Sequence, residues 1–144
     1  MPAGLETAWD LTLHNNIRRQ LKNGHTDLEQ LKNLLNEAQS RPGVLNADIS
    51  FAVKNRMERL IQKVAAEPGD VAPMRELQEI ARLVMPLPLG LNVAEVQNTY
   101  WEMKQRVLPD MRQRASQGDE NAQDCLKEFL LLGEHLGFAP HALQ

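Results

Sequence analysis

The chain contains one cysteine, Cys125, among its 144 residues, and aromatic residues make up only 4% of it. A single cysteine forms no internal disulfide, so packing alone must hold the fold, as in proteins of a reducing compartment. No segment has the roughly 20 consecutive apolar residues that a membrane-spanning helix requires, and the first residues lack the pattern of a signal peptide. We therefore expect a soluble, cytoplasmic protein without a membrane partner.

An excess of one charge is also missing. The sequence has 16 Lys and Arg residues against 19 Asp and Glu residues, which gives a formal net charge of -3. Because the two signs are interspersed, the chain offers no continuous basic field of the kind that nucleic acid requires. Nucleic acid is not an expected partner.

Strand signals are absent from the pattern, since apolar residues recur at helical spacing almost everywhere and no segment alternates as a half-buried strand does. The pattern predicts an all-α bundle of five or six helices. The chain is long enough to bury a core and has no internal repeat, so we expect a single domain over residues 1–144. The expected helices cover about 5–23, a segment after residue 26, 46–67, a segment between 70 and 86, 92–118 and 119–136.

Residues that begin, end or line these helices can also be named. The second helix is expected to begin with a capping box of Thr26 and Glu29, and the fifth with Asn92 as its cap. Gly24 is expected to end the first helix. Pro109 is expected to kink or interrupt the fifth, because proline lacks a backbone N–H. The apolar face of the first helix is expected to contain Leu5, Trp9, Leu13, Ile17 and Leu21.

The fifth helix carries a polar and aromatic cluster that has two possible interpretations. Its members are Gln97, Asn98, Tyr100 and Trp101. An indole face stacks on a pyranose ring, while amides and the neighbouring Glu102 carboxylate can bond sugar hydroxyls, so the cluster suits a sugar or partner contact. Alternatively, these residues belong to the packed face of the helix. We expect Trp101 to be partly exposed, because Tyr100 already occupies the packed seam and the neighbouring Asn98 would be costly to bury without partners.

Catalytic and metal-binding patterns are lacking. His135, Glu134, His141 and Cys125 do not have the spacing of ligands on one helix face. Cys125 lies in an apolar segment without a basic neighbour, which favours a buried, inert thiol over a nucleophile. We therefore predict no catalytic residue, metal or cofactor.

Several charged or titratable side chains are expected to face solvent. Arg56, Arg59 and Lys63 follow the third helix in steps of three and four, which is compatible with contact to an acidic partner and more typical of a solvated helix face. His14 and His25 stand beside charged or capping residues and are also expected to be solvated.

The passage AVKNRMERLIQKVAAEPGDVAPMRELQEIARLVMPLPLGLNVAEVQNTYWEM, residues 52–103, resembles a known family. It is similar to the helical C-terminal domain of unknown function found in bacterial relatives of the family 57 glycoside hydrolases. The resemblance lies in the order of a helix, a Pro/Gly turn, a second helix, the MPLPLGLN stop and cap, and the QNTYWEM helix. Residues 24–51 resemble the family more loosely.

The resemblance implies an accessory role. In such families the catalytic carboxylates and the action on α-glucans belong to a separate β/α barrel, and these helices pack against it. The chain has no βα units, so the resemblance transfers no catalytic residue. It implies a non-catalytic accessory or excised domain that packs on a barrel and helps to wall an α-glucan cleft, with the four clustered residues as contacts. A helical interaction or scaffold module unrelated to carbohydrate and a small-molecule-binding bundle are the alternatives.

Overall fold

The computed structural model describes residues 3–22 and 27–139 of the chain. Within these two ranges the fold consists of six α-helices and contains no strand, which confirms the predicted all-α class. The helices are α1 (Ala3–Lys22), α2 (Leu28–Gln39), α3 (Ala47–Ala66), α4 (Val71–Val84), α5 (Ala94–Ser116) and α6 (Glu120–His135).

Asx side chains begin four of the helices. A helix start leaves N–H groups without intrahelical partners, and an Asp or Asn oxygen can accept a hydrogen bond from one of them. The residues that do so are Asp27 for α2, Asn46 for α3, Asp70 for α4 and Asp119 for α6. At α2 the predicted capping box is wrong, because Asp27 accepts from the Gln30 N–H; Thr26 and Gly24 lie outside the described residues.

The start of α5 differs slightly from the prediction. The helix begins at Ala94, and Val93 at the cap position offers no side-chain hydrogen bond. The Asn92 Oδ1 nevertheless accepts a bond of 3.1 Å from the Ala94 N–H. Asn92 therefore satisfies one donor of the first turn from one position before the cap.

Pro109 does not interrupt α5, which continues through it to Ser116. The missing N–H removes only the hydrogen bond to the carbonyl of Gln105, and both residues are exposed, so water can reach that carbonyl. The helix ends as predicted at Gly118, whose φ of 90° suits a residue without a Cβ.

All six helices contribute buried side chains to the hydrophobic core. The helix α6 packs against α4 and α5, and α3 packs against the same two helices, while α1 joins the bundle through α2 and α3. At the centre, Tyr100 of α5 stacks on Phe129 of α6 with ring centroids 4.5 Å apart. Phe138, which follows α6, also stacks on Tyr100, with ring centroids 5.3 Å apart. These aromatic contacts hold the start of α5 against α6.

The predicted apolar face of α1 is wrong at Trp9, which is 57% exposed. Residues four apart differ by about 40° around a helix, so a strict four-residue repeat drifts away from a straight stripe. Leu13, Ile17 and Leu21 are buried, and the face they define is completed by His14 rather than Trp9. The prediction that His14 is solvated is therefore also wrong. The side chain of Leu5 and all of His25 lie outside the described residues.

The basic stripe on α3 divides into a buried and an exposed part. Arg56 is buried and its guanidinium lies 2.6 Å from a carboxylate oxygen of Glu76 on α4, so the prediction that it is solvated is wrong. Arg59 and Lys63 are exposed, as predicted. The difference arises because α4 covers one part of α3 and leaves the rest open to solvent.

Candidate functional site

The predicted cluster on α5 borders an open groove, which we call the Trp101 groove. Its volume is about 630 Å³. The turn after α6 forms its other side. The lining residues are Gln97, Asn98, Trp101, Glu102, Gly137 and Phe138. Three of the four predicted contact residues therefore lie at one surface.

Tyr100, the fourth predicted contact residue, lies behind this surface and has no exposed area. Its hydroxyl donates a 2.8 Å hydrogen bond to the main-chain carbonyl of Phe129. Burial raises the pKa of the phenol, and the backbone of Gly133 opposes this rise. A phenol that is buried and hydrogen-bonded in this way is a packing residue, which corrects its assignment to the contact surface.

Gln97 has a structural role as well as a place in the groove. Its Nε2 donates a 2.7 Å hydrogen bond to the carbonyl of Leu136, the residue that caps the C-terminus of α6. Helix C-termini leave carbonyl groups without intrahelical partners, so this bond satisfies one of them and ties α5 to the end of α6. The amide of Gln97 is therefore only partly available to a ligand.

Asn98 and Glu102 are the polar side chains of the Trp101 groove that remain available to a ligand. Both are exposed, and neither has a hydrogen-bond or ion-pair partner within the described part of the chain. They lie one helical turn apart on the same side of α5. An amide that both donates and accepts, beside a carboxylate that accepts, can bond adjacent hydroxyl or amide groups of a ligand.

Trp101 is 38% exposed, in agreement with the predicted partial exposure. Its ring stacks on Phe138 with centroids 5.5 Å apart and an interplanar angle of 25°. The ammonium of Lys104, one turn further along α5, lies 4.4 Å from the centroid of the indole. Neither neighbour was predicted from the sequence. Lys104 follows Trp101 by three residues, so the contact between these two side chains on one helix could have been predicted.

A second cavity, of about 340 Å³, lies beside His14 and is bordered by Asp10, Asn46 and Asp48. The Nε2 of His14 is 3.2 Å from the Asn46 Oδ1 and 3.9 Å from the Asp48 carboxylate. An amide oxygen only accepts, so this contact assigns the proton to Nε2. The other ring nitrogen, Nδ1, is buried and has no hydrogen-bond partner within the described residues. A substrate could not reach Nδ1, so His14 is not positioned to act as a general base.

Cys125 is buried, as predicted, with its sulfur 3.6 Å from the carbonyl of Gly69. Burial raises the pKa of the thiol, and nearby carboxylates, that of Asp124 first, raise it further, against the opposing charge of Arg75. The thiolate is the reactive form, so this environment disfavours nucleophilic chemistry.

Among residues 3–22 and 27–139 no group of three or more His, Cys, Asp or Glu side chains could hold a metal ion. His141, which was considered with Cys125 and His135 as a possible metal ligand, lies outside these residues. None of the helices described is both long and apolar enough to span a membrane.

Comparison of the chain with models of protein families, with curated proteins and with solved structures gives no match. The proposal of a function therefore rests on the Trp101 groove and on the chemistry of its side chains.

Proposed function

We propose that the chain is a non-catalytic helical accessory domain that packs on a glycoside-hydrolase-like barrel and contributes to the wall of an α-glucan cleft. The observation that carries the proposal is the exposed edge of Trp101 beside the unpartnered side chains of Asn98 and Glu102 in one open groove. An aromatic surface flanked by amide and carboxylate groups suits a polyhydroxylated ligand. The resemblance of residues 52–103 to the accessory domain supplies the partner.

The division of labour within the helix supports this role. Tyr100 and Gln97 fasten α5 to α6 through the carbonyls of Phe129 and Leu136. Trp101 is thereby presented from a rigid element rather than a loop. Ordering a binding surface before the ligand arrives reduces the entropic cost of binding.

Two titrations of the purified chain test the proposal. In the first, maltoheptaose is added and the backbone amide signals of the chain are followed by NMR. In the second, a catalytic barrel of a family 57 glycoside hydrolase is added, and binding is measured by calorimetry. Each is repeated with Trp101→Ala and with Trp9→Ala, which removes the other exposed indole as a matched control. We expect binding that Trp101→Ala weakens about tenfold or more and Trp9→Ala leaves unchanged.

A helical interaction module unrelated to carbohydrate is the second candidate, and the position of Lys104 favours it. Its ammonium lies over the Trp101 ring at 4.4 Å and must move before a sugar can stack on that side. A protein partner with a carboxylate could instead bond the ammonium where it is. Absence of binding to both maltoheptaose and the barrel would reject the first candidate and leave this one.

A further inference from the structure

Besides Trp9 and Trp101, the described part of the chain exposes one further large aromatic side chain, Phe51 of α3. The residue is 64% exposed, more than any other large apolar side chain described, and it has no ring-stacking partner within the described residues. Large aromatic residues are mostly withdrawn from water, and an exposed one at the edge of a groove is typical of a binding surface.

Phe51 borders a groove of about 890 Å³ between α3 and the end of α1, which we call the Phe51 groove. At 1.5 Å per residue, the lining from Phe51 to Lys63 extends about 18 Å along α3, roughly the length of three helical turns. Its lining includes Lys22, Phe51, Ala52, Glu58, Arg59 and Lys63.

The charges around the Phe51 groove are unbalanced. Lys22, Arg59 and Lys63 supply three cations, although the whole chain has a net charge of -3. Glu58 is the acidic residue of the lining, and its carboxylate already lies 3.5 Å from the ammonium of Lys54. The groove therefore combines an apolar end with a basic edge.

One of these cations is held in position. The guanidinium of Arg59 donates a 3.2 Å hydrogen bond to the carbonyl of Leu21, near the C-terminus of α1. A guanidinium has five N–H donors, so this bond leaves capacity for a carboxylate. Lys22 and Lys63 are exposed and have no ion-pair partner within the described residues.

From this geometry we propose that the Phe51 groove binds an amphipathic helix of a partner protein whose apolar stripe is flanked by acidic residues. Apolar side chains at i, i+3, i+4 and i+7 of the partner would contact Phe51 and Ala52. Carboxylates beside the stripe would face Lys22, Arg59 and Lys63. Aromatic anchors supply most of the affinity in such grooves, and charge complementarity selects the partner and its direction.

A protein helix fits this surface better than a lipid membrane does. The surface is a groove, whereas a membrane-binding face lies flat on the bilayer with a broad apolar surface and several basic residues. Here the apolar lining is Phe51, Ala52 and the stems of the long side chains. Its three cations are also fewer than the cluster of basic residues typical of a surface that binds an anionic bilayer.

A selection experiment tests the proposal without knowledge of the natural partner. The whole chain is used to select from a displayed library of helical peptides of about 20 residues, a length at which an isolated helix can form. Leucines are fixed at i, i+3, i+4 and i+7, and the flanking positions are randomised among Glu, Lys and Gln. We expect the selected peptides to contain Glu at the flanking positions in excess of Lys.

The selected peptides are then titrated against variants of the chain by fluorescence anisotropy. Phe51→Gln and Lys63→Glu should each weaken binding about tenfold or more. Trp9→Gln, at an exposed aromatic residue outside the groove, should leave binding unchanged, as should Trp101→Ala. The last control separates this proposal from the α-glucan surface, so each can fail alone. Circular dichroism verifies that every variant keeps its helices.

Several results would overturn the proposal. The library would yield no enriched peptides, or the selected peptides would contain Lys, or neither charge, in excess at the flanking positions. Selected peptides whose affinity is unchanged by Phe51→Gln would also overturn it. Binding of the chain to phosphatidylserine vesicles that Phe51→Gln abolishes would assign the groove to a membrane. Self-association that the same substitution abolishes, measured by sedimentation, would assign it to a second copy of the chain.

Discussion

The hydroxyl of Tyr100 on α5 donates to the main-chain carbonyl of Phe129 on α6, and the rings of the same two residues are stacked. One side chain thus joins the helices by a polar and an apolar contact. Tyr100→Phe keeps the ring and removes the hydroxyl, so it should lower the free energy of unfolding by about 1 kcal/mol. Urea denaturation measures the change. Tyr100→Ala, which also leaves a cavity, should cost about 3–5 kcal/mol; equal losses in the two variants would contradict this account.

The same phenol should make the fold sensitive to alkali. Burial raises the pKa of Tyr100 above its usual value of 10.0. An acid whose pKa is higher in the folded state stabilises the fold below its unfolded pKa, and the contribution is lost as the pH rises above that value. The free energy of unfolding should therefore fall from about pH 10 upward, and less steeply in Tyr100→Phe.

This comparison is best made in a Cys125→Ala background, because burial raises the pKa of that thiol as well. Parallel pH profiles for the two proteins would show that the phenol is ionised as readily in the folded chain as in the unfolded one.

Trp101→Ala should cost about 1–2 kcal/mol, less than the 3–5 kcal/mol typical of a fully buried large aromatic residue. The residue is 38% exposed, and its remaining contacts are mainly with Phe138 and Lys104. Thermal and urea unfolding measure the cost. Acrylamide should quench the Trp101 fluorescence in a Trp9→Phe background. A shielded indole whose loss unfolds the domain would reduce the Trp101 groove to a packing feature.

Removing one member of the buried pair Arg56 and Glu76 should be strongly destabilising. Arg56→Ala would leave the carboxylate of its partner without the guanidinium that now lies 2.6 Å away, at a cost of about 3–5 kcal/mol. The double variant Arg56→Met, Glu76→Leu replaces both charges with apolar side chains and should recover most of the loss. Chemical denaturation of the unmodified chain and of these two variants tests this; a double variant as unstable as the single one would contradict it.

The two Asx side chains beside α5 and α6 should differ in importance. Asp119 is the N-cap of α6, and Asp119→Ala should cost about 1 kcal/mol. Asn92 bonds the Ala94 N–H from one position before the cap, so Asn92→Ala should cost about 0.5 kcal/mol. Unfolding midpoints of the two variants provide the comparison. A larger effect at Asn92 would mean that the helix begins one residue earlier in solution.

Local signals in the sequence were sufficient for several helix boundaries, and α6 is the clearest example. For α6, Asp119 and Leu136 were the predicted first and last residues, and they are the N-cap and C-cap of the observed helix. An Asp cap and a following glycine act over one turn of chain, so their effect can be predicted without knowledge of the fold. For α5 the expected interruption at Pro109 is not observed, because the helix is held on both sides of the proline by its packing against α6 and α3.

Which residues lie beneath a neighbouring helix could not be predicted in the same way. Arg56 and Lys63 lie close together around α3, yet only the first is opposite Glu76 of α4. The burial of Arg56 depends on where α4 crosses α3, which is a property of the tertiary packing. The same holds for the Trp101 groove, which the sequence indicated on α5 but whose other side, Phe138, is distant in the chain.

The burial of Cys125 has a practical consequence for studying both grooves. Its thiol is 1% exposed and is the chain's only one, so a maleimide dye should react with it slowly. A cysteine introduced at Gln105, an exposed position one helical turn beyond Trp101 on α5, would then carry the dye almost alone, without prior removal of the native thiol. A reporter placed there would register occupancy of the Trp101 groove and leave its contact residues in place, while the same dye at Asn55, which lines the Phe51 groove, would report on that groove.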